Sequence, residues 1–475
     1  MSSDARRVVV NSGIQLAGRM AVLAVSVVSL AVLSRQLGPT RFGQLSTVIA
    51  FVAVLLPLTD LGIGAVVVRD AAKNATRLPR LVGNALGIAL VGAPLLLGAA
   101  AGIAWVAYRD QNTVRSGLLF ALAGLAFTSV LSAYAPAFQA RSRFGWVTLS
   151  DLLGRLACTG ALLTAVFMGA SVVVLSALLV VAPVIAMTVL ALRAHHEQRL
   201  RPAFQVREWG PLIKDALPIG ASLVIFALYF RIDLLMLGFF RGPSDVGDYA
   251  VAYRIVEAIL AVPAVFTAAA FPILSAASGT ARFSNVGSRI ADAMVLAGMF
   301  VASAGVVLSP GLVSTVAGDA YSGAASALAV LMVATGLSFL TAVWGNVLIT
   351  GGQTGFLLRF SAVNLSINVI LNAVLIPWVG VVGAAVATLV TELLAAVVAY
   401  RRCRTRLDVR LNWPTLGRAI TAGAATVGAM LLVPADWWVL RIPVGVATYA
   451  AALILLRAVP RAEVTLWRDW VLRRA

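Results

Sequence analysis

Arg19, Arg155, Arg231 and Arg254 each fall inside a stretch that is otherwise apolar enough to cross a lipid bilayer. A charge at bilayer depth is expensive, so it faces a cavity or a partner rather than lipid. Several cations in one membrane protein suit an anionic cargo. Arginine suits phosphate in particular, because its planar fork donates two parallel hydrogen bonds and its charge is permanent. Each of the four also has a local explanation. Arg19 lies roughly 10 Å into the first span at 1.5 Å per residue, at a depth similar to that of Asp60 in the second, so the two can pair. Asp151 stands one turn before Arg155, a favourable i,i+4 pair, and Glu257 stands three residues after Arg254. Arg231 and Asp233 are two apart and point to different helix faces, so they do not neutralise each other directly. One arrangement turns Arg231 to a cavity and Asp233 toward Arg254.

Asp60, Asp233, Glu257 and Glu392 are the acids deep in the spans. A buried carboxylate can take up a proton or contact a cation in one state and not in another, which makes these four the candidates for energetic coupling. A permanent salt bridge is the alternative for each. Gln15, Asn346, Asn364, Asn368 and Asn372 are polar amides inside or beside the apolar stretches, and ligand contact or interhelical hydrogen bonds account for such residues equally well. No nucleotide-binding loop of the Walker type is present, so no cofactor is expected; an ion gradient or the membrane potential would supply the drive. The two histidines, His195 and His196, are adjacent in a basic linker and indicate no metal site.

The elements that must hold these residues are membrane helices. Of 475 residues, 61% are hydrophobic and 12% charged, with a mean hydropathy of +0.96. That balance excludes a soluble globular protein. The net charge of +18 would suggest nucleic acid in a soluble chain; here it points to basic loops held on the cytoplasmic side. The start, MSSDARRVVV, shows no cleavable signal pattern. Cys158 and Cys403 fall in different expected compartments, which argues against a disulfide.

Stretches of about 20 apolar residues predict fourteen spans, near 12–33, 45–68, 81–108, 117–138, 146–168, 171–192, 216–240, 249–274, 290–313, 324–349, 357–377, 379–400, 416–434 and 437–457. With the N-terminus in the cytoplasm, the cytoplasmic segments hold 27 of the 37 lysines and arginines and the outer loops six. A one-span error would scramble that asymmetry, so both termini are expected in the cytoplasm. Basic linkers at 193–215 and 401–414 divide the spans as six, six and two. The expected domains are a first six-helix lobe (1–193), a cytoplasmic linker (194–215), a second six-helix lobe (216–400), and a basic loop with two further helices and a cytoplasmic tail (401–475).

The lobes carry a repeat. LGPTRFGQLS, Leu37 to Ser46, follows span one, and RGPSDVGDYA, Arg241 to Ala250, follows span seven. Gly38-Pro39 matches Gly242-Pro243 and Gly43 matches Gly247 at one constant offset. Pro57 and Pro263 then interrupt the second helix of each half, the first followed by Thr59-Asp60-Leu61-Gly62-Ile63-Gly64. Helices interrupted at corresponding places in two halves point to a transport site. Because six is even, the halves would be parallel repeats.

At these residues the chain resembles the oligosaccharide flippase (Wzx-type polysaccharide transporter) family of the multidrug/oligosaccharidyl-lipid/polysaccharide exporter superfamily. Three stretches carry the resemblance: RQLGPTRFGQLSTVIAF from Arg35 to Phe51 with the following Thr59-Asp60-Leu61-Gly62; Gly247, Tyr249, Ala252, Tyr253 and Arg254 running on to Phe271-Pro272; and NLSINVILNAVLIPWVGVVGAAVATLVTELL from Asn364 to Leu394. The resemblance implies an all-α integral membrane fold, two six-helix lobes around a cavity that opens alternately to each side, in a bacterial-type cell membrane. It implies movement of a polyprenyl-pyrophosphate-linked oligosaccharide from the inner to the outer leaflet, and for that cargo Gln15, Asn346, Asn364, Asn368 and Asn372 are the candidates for contact with sugar hydroxyls. Implied partners are that lipid-linked oligosaccharide, membrane lipids, and the polysaccharide polymerase and glycosyltransferases of the same pathway; nucleic acid is not among them. The two extra helices, near 416–434 and 437–457, fit those that in lipid II flippases line a groove for the lipid tail.

Two other transporters and one enzyme class compete with this reading. A lipid II flippase shares the pattern. A drug/cation antiporter of the superfamily would want an anionic or aromatic cavity, which the membrane arginines oppose. A membrane glycosyltransferase or polymerase would place acids or arginines on sizeable outer loops, and the outer loops here are short, without an acid pair resembling a glycosyl-transfer site.

Overall fold

Apolar length dictates helix after helix, since a chain in hydrocarbon must satisfy every backbone group within itself. A computed structural model describes the backbone of residues 3–198 and 200–458, and the side chains of residue 25 and of residues 28–196 and 200–458. Gln15 and Arg19 lie outside the described side chains, and the end of the expected cytoplasmic tail lies outside the described residues. No strand occurs among the described residues; the fold is all-α.

The chain divides into two compact units, Met1–Ala250 and Val251–Ala475. The first holds α1 (Ser3–Asp60), α2 (Ile63–Lys73), α3 (Leu78–Ala107), α4 (Asn112–Gln139), α5 (Phe144–Phe167), α6 (Val172–Leu178), α7 (Val181–Gln198) and α8 (Val206–Phe240). Its last residues open α9 (Pro243–Ala277), which continues into the second unit. The second unit adds α10 (Arg282–Val316), α11 (Ser322–Thr350), α12 (Thr354–Val379), α13 (Val381–Leu407), α14 (Trp413–Leu431) and α15 (Trp438–Leu455).

Among the described residues, twelve helical stretches are long and apolar enough to cross a membrane. The first, Val28–Lys73, contains the end of expected span one and all of span two. They meet at Gly38, whose φ of 69° and ψ of 170° turn the chain inside α1, with Pro39 opening the next helix. The expected thirteenth span is α14, whose Arg418, threonines and glycines make it less apolar than those twelve stretches. It buries one face, Thr415, Ala419, Ala422, Thr426 and Met430.

Three boundaries differ from the apolar pattern. The expected sixth span is broken into α6 and α7, because Pro183 has no N–H to return to the Leu179 carbonyl. α8 begins at Val206, well before its apolar stretch, with Glu208 in its first turn where the helix dipole favours an acid. α13 runs on to Leu407, so the second basic connection is mostly helical.

Apolar packing fixes each unit separately. In the first, Phe51, Leu55, Ala104, Leu118, Leu122 and Leu125 form one core, and Val67, Val82, Leu86, Phe138, Leu190 and Ala216 form another. In the second, Met294, Phe339, Trp344, Val347, Cys403 and Ala419 are buried together. The Tyr449 hydroxyl donates to the Leu296 carbonyl at 2.7 Å, tying α15 to α10. Cys158 and Cys403 are free, buried thiols.

Candidate functional site

In the first unit the polar features gather where the second span is broken. α1 ends at Asp60 and α2 starts at Ile63; between them Leu61 (φ 49°) and Gly62 (φ 82°) both lie in the left-handed region. Leu61 pays a steric penalty there that glycine escapes, so the bend is held by its surroundings. Pro57 starts the disruption four residues earlier. Asp60 answers the exposed backbone: its Oδ1 accepts the N–H of Gly64 at 2.9 Å, a carboxylate at the positive end of the new helix. Beside it opens a cavity of about 270 Å³, lined by Thr59, Asp60, Ile88, Leu96, Ser129 and Ser132 among others. Asp60 is the acid in that lining, surrounded by hydroxyls and aliphatic groups.

Arg155 on α5 binds Asp151 through Nε, at 3.0 Å to Oδ1 and 2.9 Å to Oδ2, with both side chains about half exposed. Arg231 on α8 is half-buried. Asp233, two residues later, is buried, and its Oδ2 accepts the Tyr249 hydroxyl at 2.7 Å. The exposed His195 and His196 end α7, and no group of three metal-ligating side chains occurs among the described residues.

In the second unit, Arg254 donates to Glu257 Oε2 at 3.0 Å, the i,i+3 pair that the spacing allows. The pair is partly open, with side-chain exposures of 35% and 26%, so the guanidinium keeps donors for another anion. The asparagines form a ladder. Asn372 donates to Asn368 Oδ1 at 2.9 Å, and Asn368 donates to Thr391 Oγ1 at 3.3 Å. Asn364, one turn earlier, is buried, and its Oδ1 meets no donor among the described residues. Glu392 follows Thr391 and accepts the Thr341 hydroxyl at 3.2 Å. Asn346 is half-buried on α11. The spacing of four places Asn364, Asn368 and Asn372 on one face of α12, and that face is turned inward against α13.

Sequence reasoning did not single out Tyr249, Thr341 or Thr391 as partners of these groups. It also passed over Asn84, a buried amide in an otherwise apolar run of α3. Its Nδ2 donates to Glu208 Oε2 at 2.8 Å, and its Oδ1 accepts from the Gln205 N–H at 3.3 Å and from Trp209 Nε1 at 3.2 Å. The signal was present: an asparagine among Val82, Ala85 and Leu86 must find partners or pay for desolvation.

Residues 8–278 match the family described as polysaccharide biosynthesis protein. The chain belongs to that family. Two relatives from Haloferax volcanii match part of it: the "Probable flippase AglR", 29% identical over 208 residues, and the "Probable low-salt glycan biosynthesis flippase Agl15", 26% identical over 203 residues. The first match covers 42% of this chain and the second 41%; each spans 43% of the relative, so less than half the length of either is shared in sequence. The fold is similar to that of a solved structure, the lipid II flippase MurJ in its inward closed conformation. The TM-score is 0.75 at 11% identity, over 94% of this chain and 99% of MurJ. An inward-facing multidrug resistance MATE family transporter of the MOP superfamily follows at a TM-score of 0.64 and 14% identity, over 81% of this chain and 94% of the other. This family member is a multi-pass membrane protein with the all-α fold of membrane transporters.

Proposed function

We propose that the protein is a flippase that carries a polyprenyl-pyrophosphate-linked oligosaccharide from the cytoplasmic to the outer leaflet by alternating access, for cell-surface polysaccharide synthesis. The observation that carries this reading is membership of a polysaccharide biosynthesis family in a chain with arginines inside its apolar stretches. A pyrophosphate and its sugars cannot cross hydrocarbon alone, because their charge and hydrogen bonds would go unmet. A wet, cationic path removes that barrier while the isoprenoid tail stays in lipid. Arg19, Arg155, Arg231 and Arg254 are the pyrophosphate-binding candidates. Arg254 leads, because its pair with Glu257 is partly exposed and leaves donors to spare.

Asp60, Asp233, Glu257 and Glu392 are the coupling candidates. Asp60 leads among them, since it stands at a helix break beside a cavity. Of the sugar-contact candidates, Asn368 and Asn372 serve the packing of α12 on α13, and Asn364 retains an open acceptor. Glycosyltransferases would supply the cargo on the cytoplasmic face and a polymerase would consume it outside.

Proteoliposomes with a fluorescent polyprenyl-pyrophosphate oligosaccharide test the reading: an impermeant quencher reports how much cargo has changed leaflet. Arg254→Ala is expected to slow exchange by roughly tenfold to a hundredfold, the worth of a charged hydrogen bond, with folding intact. Unchanged exchange would return Arg254 to a structural pair with Glu257. Faster exchange of lipid II than of other glycans would name lipid II as the cargo.

A further inference from the structure

The chain that joins α7 to α8 is fastened to α3. The Ala203 N–H donates to the Gly83 carbonyl at 2.8 Å, and Asn84 gathers Gln205, Glu208 and Trp209 around one buried amide. Arg80 adds an ion pair to Glu208. These bonds hold the start of α8 in place, and breaking them would strand a buried amide.

Ten residues further on, α8 touches the break between α1 and α2 in a different manner. A Cβ on Gly62 would come within 2.8 Å of the Ala216 carbonyl oxygen and 2.9 Å of the Gly220 nitrogen; a Cβ on Gly220 would come within 2.9 Å of Leu61 Cα. Backbone lies on backbone, with few side chains between. Beside this contact, Arg69 Nη2 meets Asp215 Oδ2 at 2.6 Å, with side-chain exposures of 46% and 51%. An exposed pair of this kind holds weakly. Pro211, which has no N–H to donate, lies between the fastened start and this contact. On the opposite side of the contact lies the strained pair Leu61–Gly62, next to the Asp60 cavity.

We infer that Asp215 to Gly220 of α8 and the break at Leu61–Gly62 form a latch, with the segment clamped at Asn84 as its fixed elbow and Pro211 as its joint. The latch lies at the end of the first unit that carries the basic linker. It closes when α8 seats on the break and opens when α8 swings about the joint while residues 203–209 stay on α3. That it opens in each transport cycle rests on the flippase reading; that it opens at all does not.

Arg69→Cys/Asp215→Cys, made with Cys158→Ala and Cys403→Ala, tests the latch. Spin labels at the two positions, in proteoliposomes without cargo, are expected to show a short and a long distance population. A single short distance would overturn the inference. Bridging the two cysteines with a short bis-methanethiosulfonate reagent is expected to lower leaflet exchange at least tenfold, with recovery on reduction. Equal exchange by bridged and reduced protein would also overturn it, as would failure of the bridge to form. If the reduced variant and the wild type are both inactive, the flippase reading fails, and the distance measurement still decides the latch.

Discussion

Gly43 and Gly247 meet backbone to backbone: a Cβ on Gly43 would come within 2.8 Å of the Gly247 nitrogen. The contact is reciprocal. Gly43 faces the carbonyl of Pro243, and Gly247 faces the carbonyl of Pro39. The two turns that share the Gly-Pro and Gly spacing therefore pack against each other through equivalent atoms, as a two-fold related pair would. A side chain at either glycine has no room. Gly43→Val and Gly247→Val are each expected to destabilise the protein by about 1–3 kcal/mol through overpacking, seen as a lower unfolding temperature in detergent. The double variant should lose less than the sum of the two, because the first substitution already parts the turns. Additive losses would mean the two glycines act independently.

Asn84 is expected to behave as a clamp. Asn84→Leu removes a partner from Glu208, Gln205 and Trp209 together, at a cost of about 1–3 kcal/mol for the polar groups left unmet. Hydrogen exchange at the Ala203 and Gln205 amides should accelerate while α4 stays protected. Unchanged exchange at those amides would show that Gly83 and Arg80 hold the segment without it.

The asparagine ladder predicts a split between stability and transport. Asn372→Ala leaves Asn368 Oδ1 without its donor and should cost about 1–3 kcal/mol of stability, read by thermal unfolding. Asn364→Ala removes an oxygen that has no donor to lose, so its unfolding temperature should fall less. Cargo binding slowed by Asn364→Ala alone would mark that oxygen as the sugar contact.

At Asp60 the informative change is Asp60→Asn, since the amide oxygen can still accept the Gly64 N–H. Downhill leaflet exchange is expected to persist, and its acceleration by an imposed proton gradient to disappear. A gradient response equal to that of the wild type would remove Asp60 from coupling. Asp60→Ala should in addition lower the unfolding temperature, because the entry of α2 loses its acceptor.

Much of this was legible in the chain itself. Apolar length gave the helices, and the Gly-Pro spacing located the turns at Gly38 and Gly242. Thr59 to Gly64 read as a poor helix interior, and the structure breaks there. The i,i+3 and i,i+4 spacings named the partners of Arg254 and Arg155. What pattern could not supply was anything set by distant segments. The bond from Tyr249 to Asp233 spans 16 residues, that from Asn368 to Thr391 spans 23, and those joining Asn84 to Gln205, Glu208 and Trp209 span more than 120. Periodicity within one helix says which face a residue occupies and nothing of what lies opposite. Apolarity also misplaced the start of α8, because its first turns are held by polar bonds to α3 rather than by lipid.

The most direct test of the account is the rate at which a fluorescent polyprenyl-pyrophosphate oligosaccharide changes leaflet in vesicles holding the wild-type protein, against protein-free vesicles. The account predicts that protein-containing vesicles expose cargo from both leaflets to the quencher while protein-free vesicles expose about half of it. Equal quenching in the two, with a folded protein and both proton and sodium gradients tried, would contradict it.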